Sequence, residues 1–423
     1  MYVIKNWYMK FLSDDFQNNL WTFIASTVTA VFSFTIVLFT TRLVGLAEAG
    51  VVSFAIATAL LAQNIIFFGV RSFQSTDINQ EFSFQSYLGL RVCSSFLALA
   101  CIGIFLLVGR MDTSRTIVIF LVFVIFLIDG FADVFMGSLQ QKGKMRIAGR
   151  MRVCAFSLCI LFFLGSLLIF RVIYFPLLLS CIIIFIVYLV WIWIYRDNFK
   201  PIRVKIDIHT ICTIAKNVLP LLLSGVLFSY LVNMQKYYLG FLNTDESVAI
   251  ITMLIMPVTA LQLLSTTFFA GAEMTKSARV FVDGQIDCLY RRVKRQLLVA
   301  LLLSLFFLLC VYTFGLDLLS WIFATDLLQY KAELMIMSIG GSLYTALAVL
   351  TACLVVLRKQ KSWLYSMLTI SCTAAPLMLF VVYRYGITGA AYSNLVILTP
   401  LTIILCVICQ TGLKRAQSDK IAI

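Results

Sequence analysis

Histidine and charged residues are scarce in this sequence. His209 is the only histidine, so neither a histidine-based metal cluster nor a Ser-His catalytic triad can be assembled. Charged residues make up 12% of the 423 residues and apolar residues 62%, against about 25% and about 45 to 50% in soluble domains. This balance excludes a soluble protein and predicts an integral membrane protein.

Long polar intervals are also absent. No interval between apolar runs exceeds roughly 25 residues, which is too short for an extramembrane domain with a core of its own. Any chemistry is therefore expected inside a helical bundle or at its rims. The 12 cysteines do not change this view, because most lie within apolar runs. Cys406 and Cys409, for example, lie in the last run, where thiols pack as small apolar side chains.

Apolar segments long enough to span a bilayer recur along the chain. A spanning helix needs about 20 apolar residues, and we place twelve such segments between about residue 17 and about residue 410. Six lie on either side of the polar interval 196–217. The sequence therefore predicts an all-α polytopic membrane protein with twelve transmembrane helices in two parallel six-helix lobes. The predicted lobes are residues 1–195 and 211–423, joined by a cytoplasmic linker at 196–210.

The basic residues are distributed unevenly between the loops. Roughly 26 of the 33 lysines and arginines fall in alternate loops and the adjoining ends of segments, and basic loops stay in the cytoplasm. This predicts that both termini and the central linker are cytoplasmic. The net charge of +14 then faces anionic membrane lipid, and no nucleic-acid partner is expected.

Two carboxylates lie inside the fourth segment, FLIDGFADVFMGSLQQKGKM. Asp129 and Asp133 are one helical turn apart on one face, and each costs about 2.5 to 3.5 kcal/mol at mid-helix. Both should therefore face protein or water rather than lipid. Arg91 lies at about the depth of Asp133 and is expected to pair with it. Asp129 has no obvious partner, which leaves a structural role and an ion-coupling role open for the two carboxylates.

Three cations are candidates for a substrate path. Arg42 ends the first segment and Lys236 lies near the outer end of the seventh, so they occupy corresponding depths in the two lobes. Either side chain could snorkel to the interface, or the two could line a cationic path suited to a diphosphate. Arg71 follows the second segment at the cytoplasmic rim, and Glu273 and Lys276 lie at the end of the eighth. These ends are expected to form either a gate or head-group clamp, or a solvated rim.

Three motifs carry a resemblance to a known family. They are RLVGLAEAG at 42–50, RSFQSTD at 71–77 and QQKGKM at 140–145. Together with the length and the number of segments, they resemble the Wzx-type polysaccharide flippases. Those proteins belong to the MATE-like multidrug/oligosaccharidyl-lipid/polysaccharide exporter superfamily, and the resemblance implies its V-shaped fold of two lobes around a cationic cavity.

The resemblance also implies a function. It points to a non-enzymatic flippase, without cofactor or metal, in the inner (plasma) membrane of a bacterium. Such a protein moves undecaprenyl-diphosphate-linked oligosaccharide repeat units from the cytoplasmic to the outer leaflet by alternating access, for lipopolysaccharide O-antigen or capsule biosynthesis. Its implied partners are membrane lipids, a coupling proton or sodium ion, and glycan polymerase and chain-length proteins.

The sequence departs from the family in one place and leaves two alternatives open. Relatives often carry an acidic residue in the seventh segment, where this chain has Asn233 and Lys236, which leaves ion coupling through that segment an open question. The alternatives are a multidrug or cation exporter of the same fold and a membrane-embedded glycan polymerase or ligase. The short outward loops argue against the polymerase or ligase, since such an enzyme needs a sizeable loop to carry its reactive groups.

Overall fold

A computed structural model describes residues 14–77, 81–204, 206–270, 277, 280–281, 283–357 and 359–421, and every regular element within those ranges is a helix. The helices are α1 Asp14–Leu43, α2 Leu46–Phe67, α3 Val70–Thr76, α4 Phe84–Val108, α5 Thr113–Gln141, α6 Met145–Phe170, α7 Tyr174–Ile194, α8 Ile208–Leu242, α9 Asp245–Ala270, α10 Ile286–Cys310, α11 Leu316–Phe323, α12 Lys331–Val356, α13 Gln360–Ala391 and α14 Ser393–Ile421.

Twelve helical segments in the described part of the chain are long and apolar enough to cross a membrane. The predicted all-α class and the predicted number of spans are therefore confirmed. The ninth span, Ile286–Phe323, has 38 residues, because α10 and α11 are joined by a π-helical turn, Val311–Gly315. Helix α13 is broken at Gly386, whose φ of 56° and ψ of −125° are not helical.

The chain forms two compact units, Met1–Val226 and Leu227–Ile423, and the division falls within α8. In the first unit α5 packs against α2, α3, α4, α6 and α7, and in the second unit α12 packs against α9, α10, α13 and α14. These central helices are the fourth and the tenth spans, which are corresponding positions in two successive sets of six. The predicted lobe boundaries and the cytoplasmic side of both termini stay predictions.

Close packing of α6 on α1 gives a stability prediction. A Cβ atom added to Gly149 of α6 would lie 2.7 Å from the carbonyl oxygen of Trp21 in α1, closer than real Cβ atoms approach. We expect Gly149→Ala to lower the midpoint temperature of unfolding, since overpacking costs about 1 to 3 kcal/mol. The control is Gly165→Ala in the same helix, where a Cβ meets nothing within 4 Å and helix propensity favours alanine. Equal midpoints for the two purified variants would contradict the packing.

Candidate functional site

A network of buried charges surrounds Asp133 on α5. Its carboxylate accepts hydrogen bonds from Arg71 Nη1 of α3 at 2.9 Å, from Arg91 Nη2 of α4 at 3.3 Å and from Arg152 Nη2 of α6 at 3.3 Å. The Arg91–Asp133 ion pair predicted from helix depth is therefore present. Since ionised groups in a spanning helix face protein or water, the three guanidinium groups account for the position of Asp133.

Asp129 lies one turn earlier on α5 and has partners of its own, contrary to the expectation that it has none. Arg152 donates to both of its oxygens, from Nε at 3.1 Å and from Nη2 at 3.2 Å. Gln63 Nε2 of α2 donates at 3.1 Å and the hydroxyl of Tyr188 in α7 at 2.6 Å. The carboxylate is 1% exposed, so its charge is balanced by a cation and two neutral donors.

The turn between α2 and α3 places Arg71 against the network. Phe68 and Gly69 both have left-handed φ values, 49° and 67°, and this turn ends α2 at Phe67. The chain then restarts as the short helix α3, from which Arg71 also donates to Gln140 Oε1 at 3.0 Å. Arg71 is thus part of the charge network, and its predicted place at a gate, a head-group clamp or a solvated rim stays a prediction.

Arg91 is the most deeply enclosed cation of the network. It is fully buried, and its Nη1 donates to the carbonyl oxygen of Ile66. That oxygen is available because the last carbonyls of a helix lack partners within it, and it also accepts from Ser94 Oγ at 2.8 Å. The Arg91 Nε atom has no hydrogen-bond partner among the described residues. Arg91 therefore fastens the end of α2 to α4 and α5.

Within the described residues, the network contains one more cation than it has anions, because three arginines meet two aspartates. Two of these arginines are partly exposed, Arg71 at 27% and Arg152 at 16%. Both line a cavity of ≈ 40 Å³ together with Thr22 and Ser26 of α1. A cavity of this size has room for one to a few water molecules, so the positive excess borders a small space that water can occupy.

The other two predicted cations belong to different units. Arg42 is in the last turn of α1 and is exposed, whereas Lys236 is half-buried in the part of α8 that belongs to the second unit. Among the described residues no carboxylate pairs with Lys236. Glu273 and Lys276 are outside the described residues. The predicted pairing of Arg42 with Lys236 stays a prediction.

The neighbourhood of Lys236 is aromatic and polar. The hydroxyl groups of Tyr230 and Tyr238 are 2.7 Å apart, and the rings of Tyr230 and Tyr237 stack with centroids 6.1 Å apart. Gln235 is fully buried and its Oε1 atom has no partner within the described ranges. As for metals, the described residues include no group of three His, Cys, Asp or Glu side chains that could hold an ion.

Comparison with known proteins identifies the fold. No protein-family model and no curated protein matches the sequence. The inward-facing structure of a multidrug resistance MATE family transporter of the MOP superfamily is similar with a TM-score of 0.63, 12% identity, and coverage of 95% of this chain and 96% of that chain. The eukaryotic MATE transporter AtDTX14 is similar with a TM-score of 0.62 and 12% identity, and the match covers 97% of this chain and 99% of that chain. A MOP superfamily transporter from Pyrococcus furiosus is similar with a TM-score of 0.57 and 14% identity, and the match covers 96% of this chain and 95% of that chain. The chain therefore has a MATE-like fold, and identities this low show the fold alone.

Proposed function

We propose that the protein is a multi-pass membrane transporter that moves an anionic, lipid-linked substrate across the bilayer by alternating access. The substrate class that fits this charge is an undecaprenyl-diphosphate-linked oligosaccharide, carried from the cytoplasmic to the outer leaflet of a bacterial membrane for cell-surface polysaccharide synthesis. The transporter part of this proposal is supported by the MATE-like fold. The substrate part is supported by the charges of the chain itself.

The positive excess of the buried network is the observation that carries the substrate class. Ionised residues inside a membrane protein are costly and mark substrate or ion paths, and arginine forks match phosphate oxygens. Arg71 and Arg152 border a cavity on the network, and Lys236 adds a half-buried cation with no carboxylate partner among the described residues. An organic cation would be repelled by these groups, while a diphosphate would be attracted.

A second candidate is a multidrug exporter, and the comparisons support it at least as well as the first. Two of the similar structures are described as MATE transporters, one of them as a multidrug resistance transporter. The Pyrococcus furiosus protein, in contrast, is described as having a binding pocket of reverse polarity that suggests a different function. Since pocket polarity differs among proteins of this fold, the charges of each chain are the better guide to its substrate.

Transport by the purified protein distinguishes the two candidates. We expect proteoliposomes containing the full chain to move a fluorescent polyprenyl-diphosphate saccharide between leaflets, and to leave the accumulation of the cationic dye ethidium unchanged. Lys236→Gln should lower the flipping rate about tenfold, as losing one charge-assisted hydrogen bond of about 1.5 kcal/mol would do.

A matched variant controls for the loss of one cation. Arg384→Gln removes an exposed charge from α13 in the same unit and should flip at the wild-type rate. Ethidium export without saccharide-lipid flipping would overturn the first candidate and support the second. Equal rates for Lys236→Gln and the wild type would remove Lys236 from the substrate path.

A further inference from the structure

An apolar groove in the first unit is lined in part by Tyr188, whose hydroxyl donates to Asp129. Helices α4, α5 and α7 form its walls, and its volume is ≈ 530 Å³, within the range of about 300 to 1,000 Å³ that ligand pockets occupy. The larger side chains of the walls are Phe96 and Leu99 of α4, Phe131 and Phe135 of α5, and Phe185 and Leu189 of α7.

Exposure of these walls identifies the kind of molecule that fills the groove. Phe96 is 67% exposed and Phe185 50% exposed, and both lie within helices that span the membrane. Apolar side chains exposed at this depth contact hydrocarbon rather than water. Ser95 Oγ, one of the few polar atoms in the lining, is buried without a hydrogen-bond partner among the described residues. The groove therefore suits a hydrocarbon chain and offers little to a sugar.

Exposed basic residues flank Ile202, which lines one part of the groove, here called its Ile202 end. The segment that carries Ile202 also contains Phe199, whose ring packs on Phe84 and Phe135 with centroids 6.0 Å and 5.1 Å apart. Lys142 and Lys144 both donate to Asn198 in the same segment. The exposed basic side chains at this end are Lys142, Lys144, Arg196, Lys200 and Arg203, against the single carboxylate of Asp197.

The cations at this end repel one another. The pKa of Lys142 is lowered, first by partial burial and then by the charge of Lys144. Only Lys200 has an ion pair with Asp197 there, at 2.6 Å, among the described residues. An anion placed at this end would relieve the repulsion, and charges next to a membrane surface attract anionic lipid.

We propose that the groove binds one hydrocarbon chain of an anionic phospholipid from the surrounding bilayer, with the lipid phosphate on the cations at the Ile202 end. The occupant is a resident lipid and not the transported substrate, because the bilayer supplies phospholipid at a concentration that fills a weak site by mass action. Tyr188 lines the groove with its ring and donates its hydroxyl to Asp129. The bound chain thus packs on the ring that completes the buried charge network.

Native mass spectrometry of the full-length protein in mild detergent tests the groove and the head group separately. The probes are phosphatidylglycerol and phosphatidylcholine with identical acyl chains. We expect the wild type to retain one phosphatidylglycerol, and Ser95→Phe, which fills the groove, to lose about tenfold in retention of that lipid. Gly165→Phe adds the same side chain at an exposed position of α6 that meets nothing within 4 Å, and should retain lipid as the wild type does.

The head-group arm uses exposed positions, where substitution leaves the packing intact. Lys200→Gln with Arg203→Gln should reduce phosphatidylglycerol retention about 30-fold, to the level of phosphatidylcholine. Lys294→Gln with Arg295→Gln removes two exposed charges from α10 in the other unit and should leave retention unchanged. The proposal is overturned if the two lipids are retained equally, if Ser95→Phe retains lipid normally, or if undecaprenyl phosphate rather than phosphatidylglycerol is the lipid lost in Ser95→Phe. It does not depend on which substrate is transported.

Discussion

Asp133→Asn is expected to be among the most destabilising single substitutions in the chain. The carboxylate is 4% exposed and is the shared acceptor of Arg71, Arg91 and Arg152. Removing its charge leaves the fully buried Arg91 without its only anionic contact in the described part of the chain. Breaking a buried ion pair in this way costs about 3 to 5 kcal/mol. We expect the purified variant to unfold at a much lower temperature than the wild type, with a lower yield of folded protein.

The control is the same chemical change at Asp112, the residue just before α5. Asp112 precedes the first turn of the helix, is exposed and makes no side-chain capping hydrogen bond. Asp112→Asn should be neutral, because asparagine is as good an N-cap as aspartate. In a double-mutant cycle, Asp133→Asn combined with Arg91→Gln should cost less than the sum of the single changes, since the second removes the cation that the first exposes. Strict additivity would contradict the ion pair.

The depth of each charge along its helix was sufficient to predict part of this network. Asp133 lies about 8 residues before the end of α5 and Arg91 about 7 residues after the start of α4, which puts both about 10 to 12 Å from the same side at 1.5 Å per residue. The same count applied to α6 places Arg152 about 7 residues after its start. Arg152 lies in the basic start of α6, so in the sequence it counts toward the charge asymmetry of the loops and segment ends rather than as a partner of Asp129.

Other features depend on backbone geometry that the sequence pattern does not specify. The second segment is apolar through Val70, so a period-based prediction continues the helix, whereas the left-handed turn at Phe68 and Gly69 ends it. The Phe-Phe-Gly run was the available signal for that turn. The lipid groove has no such signal in the sequence. Its walls come from three helices, and apolar residues are expected on a lipid-facing helix surface whether that surface is flat or grooved.

Arg71→Gln is expected to abolish transport while leaving the fold nearly intact. Arg71 is the most exposed cation of the network, and without it Asp133 keeps Arg91 and Asp129 keeps Arg152. Two cations then balance two anions, so the loss of stability should be smaller than that of Asp133→Asn, which leaves buried cations without their anion. The positive excess that our proposal assigns to an anionic substrate is gone, however, and we expect the flipping rate of a polyprenyl-diphosphate saccharide to fall at least about tenfold.

Two further variants separate a functional charge from a structural one. Arg71→Lys restores the charge without the planar fork and should recover part of the transport rate. Arg91→Gln makes the same change in net charge at a fully buried position, and should lower the unfolding temperature where Arg71→Gln does not. Transport is measured in proteoliposomes per folded molecule, with ethidium as the cationic comparison. A wild-type flipping rate for Arg71→Gln would show that the third arginine serves only the structure of the network.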